Sequence, residues 1–80
     1  MGANVFTLSG TSPDERRRQA ETASRVRFIR ARRANGWTQL ACSQWLGVSV
    51  DAVELWERGK RRVPGWALCL VEESAARRAA

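Results

Sequence analysis

The sequence predicts an all-α fold, a compact bundle of four to five short helices containing a helix-turn-helix, and three features lead there. Hydroxyl residues able to cap free helix-start amides stand at Ser12, Thr38 and Ser49, each ahead of a run with apolar residues at helical spacing. Glycines 36, 47 and 59 close the same runs, because a residue without Cβ adopts the left-handed helix end at little cost. Strand-like alternation is confined to Val5, Phe6, Thr7 and Leu8.

With 80 residues the chain is read as one domain, since a unit of this size buries only about 60% of its unfolded surface and cannot support a second core. It divides into an arm at 1–12, a domain at 13–74 and a tail at 75–80. Fourteen Lys and Arg against eight Asp and Glu give a formal charge of +6 and a pI near 11.3, which favours a polyanionic partner. A membrane span needs about 20 apolar residues and a secretory signal needs a basic start before an apolar run. Neither pattern is present, so the cytoplasm is the expected location and no membrane association is expected. Cys42 and Cys69 lack metal-ligand spacing and there is no His, so no metal or cofactor is expected. Both thiols are read as buried and reduced.

Ser12 precedes Pro13, Asp14 and Glu15, a helix start with a cap, a proline at the first helical position and acids at the positive end of the dipole. No Pro or Gly interrupts Asp14 to Ala34, and this level of reading leaves open one helix or two broken near Thr22 to Ser24. Ser24, Phe28, Ala31 and Asn35 share one stripe, with Ile29 beside it, while Arg25, Arg30 and Arg33 point elsewhere. Asn35-Gly36 then tolerates the left-handed end. Thr38 caps a helix from Gln39 to Leu46, barely two turns, stopped by Gly47. Ser49 caps a third through Arg58, with Val53 and Trp56 facing inward, and Gly59 closes it. After Pro64 and Gly65, residues Trp66, Ala67, Leu68, Cys69, Leu70 and Val71 form an almost wholly apolar girdle that needs burial on more than one side. The ending AARRAA has nothing evident to pack against and is expected to fray. Residues 1–12 read either as a short strand or as a disordered arm.

Charge is arranged as two basic blocks around an acidic centre. Residues 25–33 hold five Arg, residues 58–62 hold four cations, and residues 34–57 hold only Asp51, Glu54 and Glu57. Two short helices joined by a tight turn set the second across the first, where it can enter a major groove, and Gln39 to Glu57 has that spacing. Positions 50, 51, 54, 55 and 58 face away from Val53 and Trp56, so Ser49, Val50, Asp51, Glu54, Leu55 and Arg58 are the candidate base-reading residues. Val50 and Leu55 can only touch thymine methyls and Asp51 can only accept, so direct hydrogen-bond readout is expected to be modest. Asp51 also lies in a first helical turn, where the dipole favours a carboxylate in any case. Phosphate attraction falls to Lys60, Arg61 and Arg62, with Arg25, Arg30 and Arg33 secondary.

The stretch TQLACSQWLGVSVDAVELWERGKRRVP resembles the Cro and C1 repressor family, also called the XRE family, over roughly residues 25–71. Thr38, Gln39, Ser43, Gly47, Val53, Trp56, Glu57, Gly59, Lys60 and Arg61 carry the resemblance. Ser43 stands where the family usually has Ala, and Cys42 where it has Leu. The resemblance implies a lambda repressor-like domain and sequence-specific transcriptional regulation. It also implies phosphate contacts from Thr38, Gln39 and Gln44 and an ion pair of Glu57 with Arg32.

A single short recognition helix reads few base pairs and the girdle exceeds what one small domain covers. A homodimer is therefore expected, with Trp66, Leu68, Leu70 and Val71 at its interface. The leading expectation is a dimeric repressor, of the small phage or plasmid type, on operator double-stranded DNA. The alternative is similar to HigA-type antitoxins, which bind a toxin protein and their own operator; the Val5 to Leu8 arm and Trp45 would meet the toxin. Trp45 is expected either at a partner contact or packed under the fourth helix. An enzyme fails on inventory, with no His, no Tyr and no Ser or Cys beside a base. A membrane-surface helix would lack a broad apolar face.

Overall fold

The computed structural model describes residues 12–79, which form four helices and no strand: α1 (Pro13–Ala34), α2 (Gln39–Leu46), α3 (Val50–Arg58) and α4 (Gly65–Ala79). The arm alternation from Val5 to Leu8 lies outside the described residues.

α1 is one unbroken helix of 22 residues, which decides between one helix and two. Its N-terminus is held locally: Ser12 Oγ accepts from the Glu15 N–H at 3.1 Å, and Asp14 and Glu15 face the dipole. At the other end the left-handed residue is Gly36, at φ 74°, while Asn35 stays right-handed at φ −78°. Asn35 is instead buried and ties two helices together. Its Nδ2 donates to the carbonyls of Ala31 at 2.8 Å and Val71 at 3.1 Å, and its Oδ1 accepts from Ser74 Oγ at 2.7 Å. Every polar atom of that side chain is thus used, as burial requires.

α2 and α3 begin on the expected caps, with Ala41 N donating to Thr38 Oγ1 at 3.0 Å and Ala52 N to Ser49 Oγ at 3.1 Å. α1 packs along α4 and across α3, and α2 packs on α3. Phe28 sits at the centre, edge-on to Trp56 with ring centroids 5.6 Å apart and planes at 87°. Cys42, Val53, Val63, Ala67, Leu68 and Val71 close around this pair.

The girdle on α4 is covered on one side only. Ala67, Leu68 and Val71 enter the chain's own core, whereas Trp66, Cys69 and Leu70 face outward. Leu68 and Val71 are therefore not available to a dimer interface, and Cys69 is an exposed thiol rather than a buried one. The reason is geometric: six consecutive helical residues point all round the axis, and α1 is the helix that packs extensively against it. α4 also continues to Ala79 where fraying was expected from 75, since Ala75 packs on the core and Arg77 and Arg78 complement the C-terminal dipole. Arg27 on α1 grips Glu72 through bonds of 2.8 and 2.6 Å and holds that carboxyl below its ordinary range. Among the described residues no helix is long and apolar enough to cross a membrane.

The two cysteines lie in opposite surroundings, Cys42 buried and Cys69 exposed. Burial pushes the Cys42 thiol up to about 11, so at neutral pH it is both enclosed and un-ionised. A thiol reagent such as Ellman's is expected to modify Cys69 promptly in the folded protein and Cys42 only on unfolding. The Cys69→Ser variant should lose the prompt reaction, and equally prompt reaction of both thiols would show that the core is open.

Candidate nucleic-acid interface

The surface formed by α2, α3 and the loop after α3 is positioned by a buried ion pair. Arg32 Nε donates to Glu57 Oε2 at 2.6 Å and Arg32 Nη2 to Glu57 Oε1 at 3.1 Å. The two side chains are only 11% and 9% exposed. Arg32 Nη1 also donates to the Trp37 carbonyl at 2.8 Å, and Gln39 Nε2 donates to Glu57 Oε1 at 2.9 Å. The pair expected from the resemblance is present, and it links α1, α3, the α1–α2 turn and the first residue of α2.

That arrangement changes the reading of Gln39. It is half-buried with one amide hydrogen committed to Glu57, so it serves the scaffold before any phosphate. Gln44 is exposed. Thr38 Oγ1 accepts from Ala41 N, which leaves its hydroxyl hydrogen free to donate outward. Ser43 is buried where an Ala was the norm, and its Oγ donates to the Leu40 carbonyl at 2.7 Å, so the extra polar group is satisfied.

α2 passes to α3 through Gly47, which takes φ 77° as its N–H bonds back to Ser43 O at 2.9 Å. On α3, Val53 and Trp56 are buried, while Asp51 and Arg58 are exposed two turns apart on the opposite side. Val50, Glu54 and Leu55 are half-buried, and Ser49 is exposed with its hydroxyl engaged as the cap. Of the six candidate base readers, Asp51 and Arg58 are thus the exposed ones whose side chains are not engaged as a helix cap.

The cationic loop is fastened directly to the end of α3. Lys60 N and Arg61 N donate to the Leu55 carbonyl at 2.9 and 3.3 Å, so the side chains of Lys60 and Arg61, both exposed, continue the surface that Arg58 begins. Arg62 is also exposed and leans on Glu21 of α1, Nε to Oε2 3.3 Å. Arg25 lies against Gly59 beside this loop, whereas Arg30 lines the groove between α1 and α4 with Arg27 and Glu72. The first basic block is therefore split, one member joining the rim and another turned away.

Trp45 is half exposed and stacks on Trp37, centroids 4.8 Å apart at 39°. It does not pack under α4. The eight-residue separation of two tryptophans across the α2 start was the available signal for this contact. Among the described residues no cluster of acids or cysteines is suited to a metal ion.

Comparison with protein-family models, curated proteins and solved structures finds no match for this chain.

Breaking the buried pair on one side leaves a charge without a partner. Arg32→Ala is expected to lower unfolding stability by about 3–5 kcal/mol, read from urea unfolding. The double variant Arg32→Met with Glu57→Leu should recover most of the loss, because it removes both charges. A double variant as unstable as the single one would show that packing, not the stranded carboxylate, sets the cost.

Proposed function

We propose that this chain is a sequence-specific DNA-binding transcriptional regulator of the Cro and C1 repressor type, acting as a dimeric repressor, with α2 and α3 as a helix-turn-helix and α3 in the major groove of an operator. The observation that carries this reading is the continuity of α3 with the cationic loop. One side of α3 is locked by Val53, Trp56 and Glu57, and its outer side runs from Asp51 to Arg58 and on into Lys60 and Arg61. A helix held rigidly on one face and flanked by cations fits a groove with phosphates at its edge. Arg58 reads a base edge or the adjacent phosphate, Asp51 accepts from a cytosine amino group, and Val50 and Leu55 contact thymine methyls. Thr38 and Gln44 donate to backbone oxygens at the start and on the outside of α2.

Dimerisation falls to Trp66 and Leu70, which lie one turn apart on α4 and are 52% and 42% exposed. A second copy covering this strip would remove two large apolar side chains from water and present two recognition helices to a half-site pair.

Purified protein titrated with duplex DNA from upstream of its own gene, against a scrambled duplex and across salt, is the deciding measurement. Replacing Lys60, Arg61 and Arg62 together by Ala should lower the log–log salt slope by about 2 to 3, at about 0.9 per phosphate contact. Arg58→Ala should reduce the preference for one duplex over the other. Equally weak binding to both duplexes by the native chain would overturn the reading and turn attention to a protein partner at Trp45 and Leu40, both exposed on α2.

The paired variant Trp66→Glu with Leu70→Glu should sediment as a monomer with unchanged helix content and bind the upstream duplex more weakly. A native chain that is already monomeric when bound to DNA would remove the dimer from the proposal.

A further inference from the structure

A cleft of about 340 Å³ opens between α1 and the loop that follows α3, lined by Arg18, Arg25, Lys60, Arg61 and Arg62, with Glu21 as its one carboxylate. Glu21 is engaged by Arg62 at 3.3 Å. Among the described residues Arg18, Arg25, Lys60 and Arg61 have no carboxylate within ion-pair distance. Four like charges gathered in one concavity repel one another, and an anion seated among them would relieve that repulsion.

Arg25 differs from the other three. It is half-buried on α1, and its guanidinium lies so close over Gly59 that a Cβ at that position would collide with Nη1. Gly59 therefore both ends α3 in the left-handed conformation, at φ 79°, and leaves the space through which Arg25 reaches the loop. Among the described residues no buried side-chain nitrogen or oxygen lacks a partner, and Arg25 is one of the residues lining the cleft. A planar, half-buried guanidinium packed over Gly59, with the exposed Arg18 and Lys60 side chains beside it, suits the several oxygens of a phosphate better than a single carboxylate. The cleft is at the small end of ligand sites, where about 300–1,000 Å³ is usual, and fits a phosphate or diphosphate group.

We infer that this cleft is a phosphate site in which Arg25 is the fixed anchor and Arg18 and Lys60 close on the anion. Arg18, Glu21 and Thr22 come from the part of α1 that precedes the segment resembling the repressor family. The phosphate comes either from the backbone of bound DNA, which rests on the DNA-binding reading above, or from a free phosphate compound, which does not.

Two titrations of the full chain separate the cases, each on the native protein, Arg25→Gln and Arg25→Lys, with thermal melting to establish that the variants fold. Inorganic pyrophosphate, followed by tryptophan fluorescence with Trp56 in the cleft lining, is expected to bind the native chain saturably. Arg25→Gln should weaken that binding at least tenfold, and Arg25→Lys should retain part of it. Duplex DNA titrated in salt is expected to lose about one unit of log–log slope in Arg25→Gln, with its preference between duplexes unchanged. Saturable pyrophosphate binding by a native chain that ignores duplex would defeat the DNA reading and leave the phosphate site standing for a free ligand. Pyrophosphate affinity and duplex slope both untouched in a folded Arg25→Gln variant would overturn the site. If Arg25→Gln fails to fold, Arg18→Gln with Lys60→Gln carries the same two readouts at residues that are exposed.

Discussion

Two opposite charges removed from water destabilise a fold unless each finds the other in good geometry and the remaining donors and acceptors are met. Arg32 and Glu57 satisfy that condition through paired bonds of 2.6 and 3.1 Å, with the Trp37 carbonyl and the Gln39 amide taking up further capacity. The orientation of α3 follows from this. Glu57 is one residue from Trp56, whose ring meets Phe28 of α1 edge-on, so the polar and apolar contacts pin the same turn of α3 to the same stretch of α1. Gln39 then brings the start of α2 to the same point, and the short α2–α3 turn has little freedom left.

With one side of α3 occupied in this way, its outer side is released from structural duty, and the same constraint explains the position of the cations. The loop from Gly59 begins where the pinned turn ends and is held by the Leu55 carbonyl, so Lys60 and Arg61 are carried on a rigid mount. The net charge of +6 is thus not spread evenly over the surface. Arg32 is neutralised internally by Glu57 and Arg27 by Glu72, so the excess positive charge lies with other cations, among them a block beside α3 that faces solvent.

α4 depends on a second polar anchor. Asn35 reaches from the end of α1 to the Val71 carbonyl and to Ser74, and with Arg27 and Glu72 on the outside it sets α4 along α1. Only one side of the apolar stretch from Trp66 to Val71 can then enter the core, which leaves Trp66 and Leu70 in water.

The helix boundaries at Ser12, Thr38, Ser49, Gly47 and Gly59 were legible in the chain because capping is a contact between residues three or four apart, and the inward positions Phe28, Val53 and Trp56 because helical periodicity is local as well. The exposed Asp51 and Arg58 followed from the same periodicity. Other assignments depended on distant partners. Gln39 reads only as a phosphate donor until Glu57, 18 positions away, takes one of its two amide hydrogens, and Asn35, which periodicity puts on the inward stripe, finds its side-chain partner only in Ser74, 39 positions away. Cys69 reads as core until the side of α4 facing α1 is known. The sequence by itself determined the capped starts at Ser12, Thr38 and Ser49, the glycine stops at 36, 47 and 59 and which stripe is apolar, since those are written in neighbouring residues. Only the tertiary structure decided which polar and apolar side chains are used up inside and which are left for a partner, because that depends on charges and surfaces meeting across dozens of residues.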